Sequence, residues 1–269
     1  MAKIKADLHN HFSTLENIGE IFNQAMNIAQ QNLGAEGIFG VINAQDKGSG
    51  RYETFLGQGG RKAENLGNAF YVPDKGIYVV KGQEVFSEGG HILVLGLNYG
   101  VRLQDYRTLE DSLKEAQDNN GIIILDHPCF LDGVIAKNPK TYLTYFKNWR
   151  IDGLEVHNGE AWLPHPKYYP ANKKAQNIYN QIKDDYDIGA ISTSDGHSVR
   201  GIGRSYTLLE KPDFSSPERL IESLRQSIRE HKDFSQDKQT NAYLETLDHS
   251  GKTIAARLAS KLRLIGRIN

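Results

Sequence analysis

The chain has 269 residues, 39% of them hydrophobic and 24% charged, with a formal net charge of -1 at pH 7. That length suits one large domain with a buried core or two small ones, and so even a charge excludes a global basic field for nucleic acid, leaving only a local patch open. The single cysteine, Cys129, excludes an internal disulfide and a thiolate metal cluster, and no apolar run nears the roughly 20 residues a bilayer span needs, so a cytoplasmic location is the expectation.

Residues 3–8 (KIKADL) read as a first strand ending in a polar cluster. Over 17–33, Ile18, Ile21, Phe22, Ala25, Ile28, Ala29 and Leu33 recur at helical spacing, and Gly34 follows as a stop. Residues 37–42 (GIFGVI) predict a second strand, whereas 44–75 are polar and glycine-rich and read as a long active-site loop with at most a short helix. Strands at 77–86 and 91–97 flank the turn signal Ser87-Glu88-Gly89-Gly90. A helix over 108–119 then precedes a buried strand at 121–126. Helices over 139–149, 171–186 and 216–231 alternate with strands at 152–156, 188–193 and 204–209. This alternation predicts an α/β fold with a mostly parallel sheet, open or closed into a barrel. Residues 232–269 leave the pattern, and Arg257, Lys261, Arg263 and Arg267 mark a basic amphipathic helix there, either a solvated face packed on the barrel or a partner or nucleic-acid contact.

Histidines and acids gather where the strands end. Asp7-Leu8-His9-Asn10-His11 closes the first strand, and His-x-His there turns both imidazoles to one side, because strand side chains repeat every two residues. Two imidazoles on one side suit a divalent metal. Glu16 lies five residues beyond His11, in reach of a folded-back loop as a third ligand or, read locally, as a helix N-terminal acid. Glu84 closes an apolar strand and His91 opens the next, so the pair could share one metal. In Ile124-Leu125-Asp126-His127-Pro128 a histidine sits at the C-terminal end of a buried strand, where α/β sites lie. Glu155, His157 and Asn158 end another strand, and Asp195 and His197 repeat the two-residue geometry of the first pair. Such mixed nitrogen and oxygen donors suit zinc, manganese or iron better than calcium or magnesium.

Arginine forks suit phosphate. Arg200 and Arg204, just beyond the Asp-x-His pair, are the first candidates for a clamp, followed by Arg51, Arg61 and Lys62 on the long loop. Trp162, Tyr168 and Tyr169 lie in a proline-containing segment that reads as a lid stacking a base or sugar, or as packing over the rim. Cys129 reads as a small buried side chain.

In order along the chain, DLHNHFS, GQE…GGHILVLGL, LDHP, GLEVHN and STSDGH resemble the motifs of the PHP (polymerase and histidinol phosphatase) family, over roughly residues 3–209. The resemblance implies a distorted (β/α)7 barrel, here over 1–231 with 232–269 as a C-terminal helical extension, holding two or three divalent ions (Mn, Zn or Fe) at the strand ends. It implies His9, His11, Glu84, His91, His127, Asp195 and His197 as ligands, with Glu16 where many members carry a metal-binding aspartate. It implies Asp7 as an acid that orients His9 or His11. After the second strand the chain departs from the family's Thr-Asp-His: it reads Val41-Ile42-Asn43-Ala44-Gln45-Asp46, with Gln45 nearest the histidine position. A neutral amide is a poor ligand for a transition metal, which counts against a full trinuclear site unless Asp46 substitutes.

The activity implied is phosphoester hydrolysis, a metal-bound hydroxide attacking a small phosphorylated metabolite, a nucleotide or an oligonucleotide. Arg200 and Arg204 would hold the phosphate, and His157 or His197 would give the leaving oxygen its proton. Two other readings stand beside it: C–N hydrolysis of the amidohydrolase kind, and a non-enzymatic module whose degenerate site binds metal or ligand. No membrane partner is expected, and the net charge does not point to nucleic acid.

Overall fold

The first strand, β1 (Lys3–Asp7), buries Ile4 and Ala6 and turns Lys3 and Lys5 outward, as a period of two requires. In the computed structural model, which describes residues 2–11, 18–44, 51–59, 64–65, 67–161 and 170–241, helix α1 (Ile18–Leu33) follows. It buries Phe22, Ala25, Met26, Ala29 and Leu33 along one stripe and ends at Gly34, whose φ of 79° is the left-handed C-terminal stop expected of it. Then come β2 (Ile38–Ala44), α2 (Arg51–Gly59), β3 (Glu64–Asn65), β4 (Ala69–Val72), β5 (Ile77–Ser87) and β6 (Gly90–Leu95). The second half holds α3 (Leu109–Asp118), β7 (Ile122–Leu125), α4 (Val134–Lys137), α5 (Tyr142–Asn148), β8 (Gly153–Asn158), α6 (Ala171–Ile182), β9 (Gly189–Thr193), β10 (Thr207–Glu210) and α7 (Pro217–Glu230).

The strands form one sheet in the order β10-β1-β2-β5-β6-β7-β8-β9, with β4 added to β5 and β3 to β4. The seam between its ends is bridged. Thr207 Oγ1 on β10 accepts from Ser192 N–H of β9 at 2.8 Å and donates to Ser192 O at 3.0 Å. The Asp7 carboxylate accepts from the N–H groups of Ser194 (3.0 Å) and Gly203 (2.7 Å), and His11 N–H donates to Gly196 O at 2.7 Å. The result is a nearly closed, barrel-like sheet.

The expected parallel character holds for β1/β2, β2/β5, β7/β8 and β8/β9 only; β1/β10, β5/β6 and β6/β7 are antiparallel. For β5/β6 the cause is the length of the connection. A parallel neighbour needs a crossover of a dozen or more residues, and β5 meets β6 through a tight turn. The polar stretch 44–75 is also more ordered than its composition suggests, because it holds α2 and β4, which pairs antiparallel with β5.

Inside the sheet, Ile4, Leu93, Ile124, Ile191 and Leu209 meet Leu220, Ile221, Leu224 and Ile228 of α7, which closes one end. At Gly189, where β9 begins, a Cβ would overlap the carbonyl oxygen of Ile228, so only glycine lets α7 approach this closely. On the outer face of β5, Lys81 donates to Asn98 O (2.9 Å) and Val101 O (2.8 Å) and pairs with Glu53 of α2 at 2.6 Å. After α7 the chain runs without a helix to residue 241: Lys238 pairs with Tyr206, and Thr240 N–H donates to Ser205 Oγ at 2.9 Å. The rest of the expected helical extension lies outside the described residues.

Candidate metal centre

The end of the barrel away from α7 collects the polar strand ends. His9 and His11 follow β1 on one side, and both are buried with their Nε2 atoms 3.0 Å apart. The β5–β6 hairpin sets Phe86 opposite His91, which brings His91 Nδ1 to 2.9 Å from Glu84 Oε1. His127, just past β7, places Nε2 3.2 Å from the same Glu84 oxygen. Asp195, just past β9, lies 3.4 Å from His9 Nε2 and 3.6 Å from His11 Nε2 through Oδ1. The donor atoms fall into three overlapping groups that could each hold a metal ion, with members within 4.8 Å of one another: Glu84, His91, Asp126 and His127; His9, His11 and Glu84; and His11, Asp195 and His197. Glu84 and His11 are shared between neighbouring groups.

The end of β8 backs this cluster. Glu155 accepts at Oε1 from His9 Nδ1 (2.9 Å) and Thr193 Oγ1 (2.8 Å), and at Oε2 from His127 N–H (2.7 Å). Asn158 donates through Nδ2 to Glu155 Oε2 (2.9 Å) and Asp195 Oδ2 (3.0 Å), while its Oδ1 accepts from the N–H groups of Glu160 and Ala161. That turn delivers the Glu160 carboxylate to 3.2 Å from His197 Nδ1. With Nδ1 engaged by Glu155, His9 turns Nε2 toward His11 and Asp195, the tautomer a metal requires.

The electrostatics are those of charges forced together out of water. Burial alone would push the His9 imidazole down, but Asp195 and Glu155 outweigh it and hold it well above its ordinary value. Burial and the neighbouring His197 drop His11 to about 3, so it is a neutral lone-pair donor. Against the pull of burial, Asp126 and Glu84 raise His127 to about 10, and Glu160 with Asp195 raises His197 to about 9. Asp195 and Glu84 lie well below the usual carboxylate range, although burial opposes it, because imidazoles surround them. Some acceptors remain without a hydrogen bond: both oxygens of Asp126, Oδ1 of Asp195 and Nδ1 of His127. Buried acceptors are normally paired, so orphans converging on a cluster of imidazoles fit a cation.

All seven core ligands expected from the sequence, namely His9, His11, Glu84, His91, His127, Asp195 and His197, thus come together. Asp7 does something other than expected. It orients neither His9 nor His11, since its carboxylate is taken up by the backbone of Ser194 and Gly203. Burial raises it to about 6 against those two bonds. His157 stands outside the donor groups, facing Thr240 O (3.4 Å) and Asn172 Nδ2 (3.3 Å). Arg200 lies in a short 3-10 turn, Val199–Gly201, directly after the Asp195 and His197 pair, with Arg204 three residues beyond it. Glu16, Gln45, Asp46, Arg61, Lys62, Trp162, Tyr168 and Tyr169 lie outside the described residues, as does the side chain of Arg51. The residues that motif reading undervalued are Asp126, Glu155, Asn158 and Glu160. The available signal was the density of acids and amides in LDHP and LEVHNGE.

No family model matches the chain, and no curated protein matches it. Among solved structures it is similar to Endonuclease Q, crystallised in complex with a 27-mer duplex substrate carrying an abasic lesion at the active site. The TM-score is 0.57 at 15% identity, over 84% of this chain and 56% of that one, so the chain spans little more than half the length of Endonuclease Q in that structure. At this identity the likeness is one of fold. Among the described residues, no helix is long and apolar enough to cross a membrane.

Proposed function

We propose that the chain is a metal-dependent phosphoesterase of the PHP type, with residues 1–231 as its catalytic barrel and 232–269 as an extension beside it. The observation that carries this reading is the chain of donor groups joined through Glu84 and His11, which suits two adjacent divalent ions. Mixed imidazole and carboxylate donors suit Mn, Zn or Fe, and bound there such ions supply the Lewis acidity that polarises a phosphoryl oxygen and activates water. His9, His11, Glu84, His91, His127 and Asp195 hold the ions, and Glu155 fixes the tautomer of His9. His197, with its side chain 23% exposed, is the member a substrate reaches. It joins His11 and Asp195 as a third donor where substrate would enter. Asp7, by gripping Ser194 and Gly203, sets the loop that presents Arg200 and Arg204 to the phosphate. The fold likeness to a protein crystallised on a DNA duplex favours a phosphodiester, in a nucleotide or nucleic acid, as the bond cleaved.

The test is elemental analysis of the full chain purified without chelator, beside a His9→Ala, Asp195→Ala double variant, followed by a screen of phosphomonoesters, phosphodiesters and amides with added manganese. Two or more ions per chain, lost in the variant, with metal-dependent phosphodiester turnover support the reading. Turnover of amides alone reassigns the chain to C–N hydrolysis. Failure to bind manganese, zinc or iron, or retained metal without turnover, overturns it.

A further inference from the structure

We propose that Asp126 is a metal ligand, completing with Glu84, His91 and His127 a four-donor site that grips its cation more tightly than the His11, Asp195 and His197 group beside it. The inference rests on the metal-dependent reading above. Consecutive side chains on a strand leave by opposite faces, and Ile122 and Ile124 of β7 face the barrel interior, so Asp126 continues the inward side and His127 next to it should point outward. Here His127 has φ +27°, and the turn brings Asp126 Oδ2 to 3.3 Å from His127 Nε2. A non-glycine residue in that region is strained and persists only where its surroundings over-determine it. They do so here: His127 N–H is held by Glu155 Oε2 at 2.7 Å, and His127 O accepts from Phe130 N–H at 2.8 Å. Asp126 is 0% exposed, and neither of its oxygens accepts a hydrogen bond. A carboxylate in that position is costly unless a cation takes it.

The four donors lie within 4.8 Å of one another. Two carboxylates and two imidazoles would supply four donors from the chain alone, the number that sites holding an ion permanently use. The neighbouring group offers three donors, one of them the part-exposed His197, which leaves a coordination position for water or substrate. The two sites divide the labour: one pins the ends of β5, β6 and β7 together, and the other works.

The test loads the full-length chain with zinc or cobalt(II) and follows release to a chelator, wild type beside Asp126→Asn. The wild type should lose metal in two phases. The variant should lose the slow phase, with affinity at that site falling by more than about 10-fold, and its cobalt absorption should change with the lost carboxylate. Freed of metal, Asp126→Asn should melt no lower than metal-free wild type, because the amide removes a buried charge; a purely structural carboxylate would make it melt lower. Asp126→Ala serves the same readings should the amide variant fail to fold. Unchanged release phases with an unchanged cobalt spectrum, or a lower metal-free melting point, overturn the assignment of Asp126 and leave the metal-dependent reading standing. A wild type that binds no metal overturns both.

Discussion

Lys81 and Asp126 are both buried ionisable side chains, 1% and 0% exposed, and the chain treats them in opposite ways. Lys81 has three partners of the chain's own making, the carbonyls of Asn98 and Val101 and the carboxylate of Glu53. Asp126 accepts no hydrogen bond, its nearest cationic group is His127 Nε2 at 3.3 Å, and the acids Glu84 and Glu155 crowd it. One charge is a clamp for a loop and a helix. The other, on the reading proposed above, is a place kept for a cation. The difference separates a structural buried charge from a functional one without appeal to motif: the first is satisfied within the fold, and the second is left wanting.

Breaking the clamp should have the largest effect. Lys81→Met leaves Glu53 and two carbonyls without their ammonium and should lower unfolding free energy by about 3–4 kcal/mol, read from denaturant melts, with metal content unchanged. A combined Lys81→Met, Glu53→Gln variant should recover part of that loss. At the other region, Asn158→Ala takes away a donor that Glu155 and Asp195 both use and so extends the unsatisfied state of Asp126 to its neighbours. It should cost about 2 kcal/mol in stability and weaken metal binding about 10- to 100-fold by titration; unaltered metal affinity would confine Asn158 to a structural part. The smallest effect concerns pH. Burial pushes the Glu53 carboxyl up, but the Lys81 ammonium outweighs it and holds it below 4.5. A depressed folded-state pKa contributes stability in full above the unfolded value of 4.5, lost as pH falls through the folded one. Glu53→Gln should therefore lower stability by about 1 kcal/mol near neutrality and flatten the acid limb of the stability–pH curve.

Much of this was legible in the sequence because two simple periods govern it. His9 and His11 share a side because they stand two apart on an extended chain, and the apolar stripe of α1 follows from residues such as Phe22, Met26 and Ala29. Asp126 keeps the inward parity of Ile124, but His127 beside it has the opposite parity, and the positive φ at His127 is what brings the two together. Asp7 escaped the rule of parity. Parity puts it with His9 and His11, but closure of the barrel brings the amides of Ser194 and Gly203 to it first, and only the fold can say so. The antiparallel hairpin of β5 and β6 was written in its turn, yet its weight against an otherwise parallel pattern becomes clear only in the strand order.

The Asp7 bonds also bear on when the molecule can come into being. They join positions 187 and 196 residues apart, and His9 meets Asp195 across the same seam. Contacts of such long range are slow to form, since loop closure must precede any return from them. A chain emerging from the ribosome carries its His-x-His pair long before β9 has been made and cannot assemble the centre until then. A nascent fragment that stops before β9 lacks Asp195 and His197, so the donor groups cannot yet be brought together.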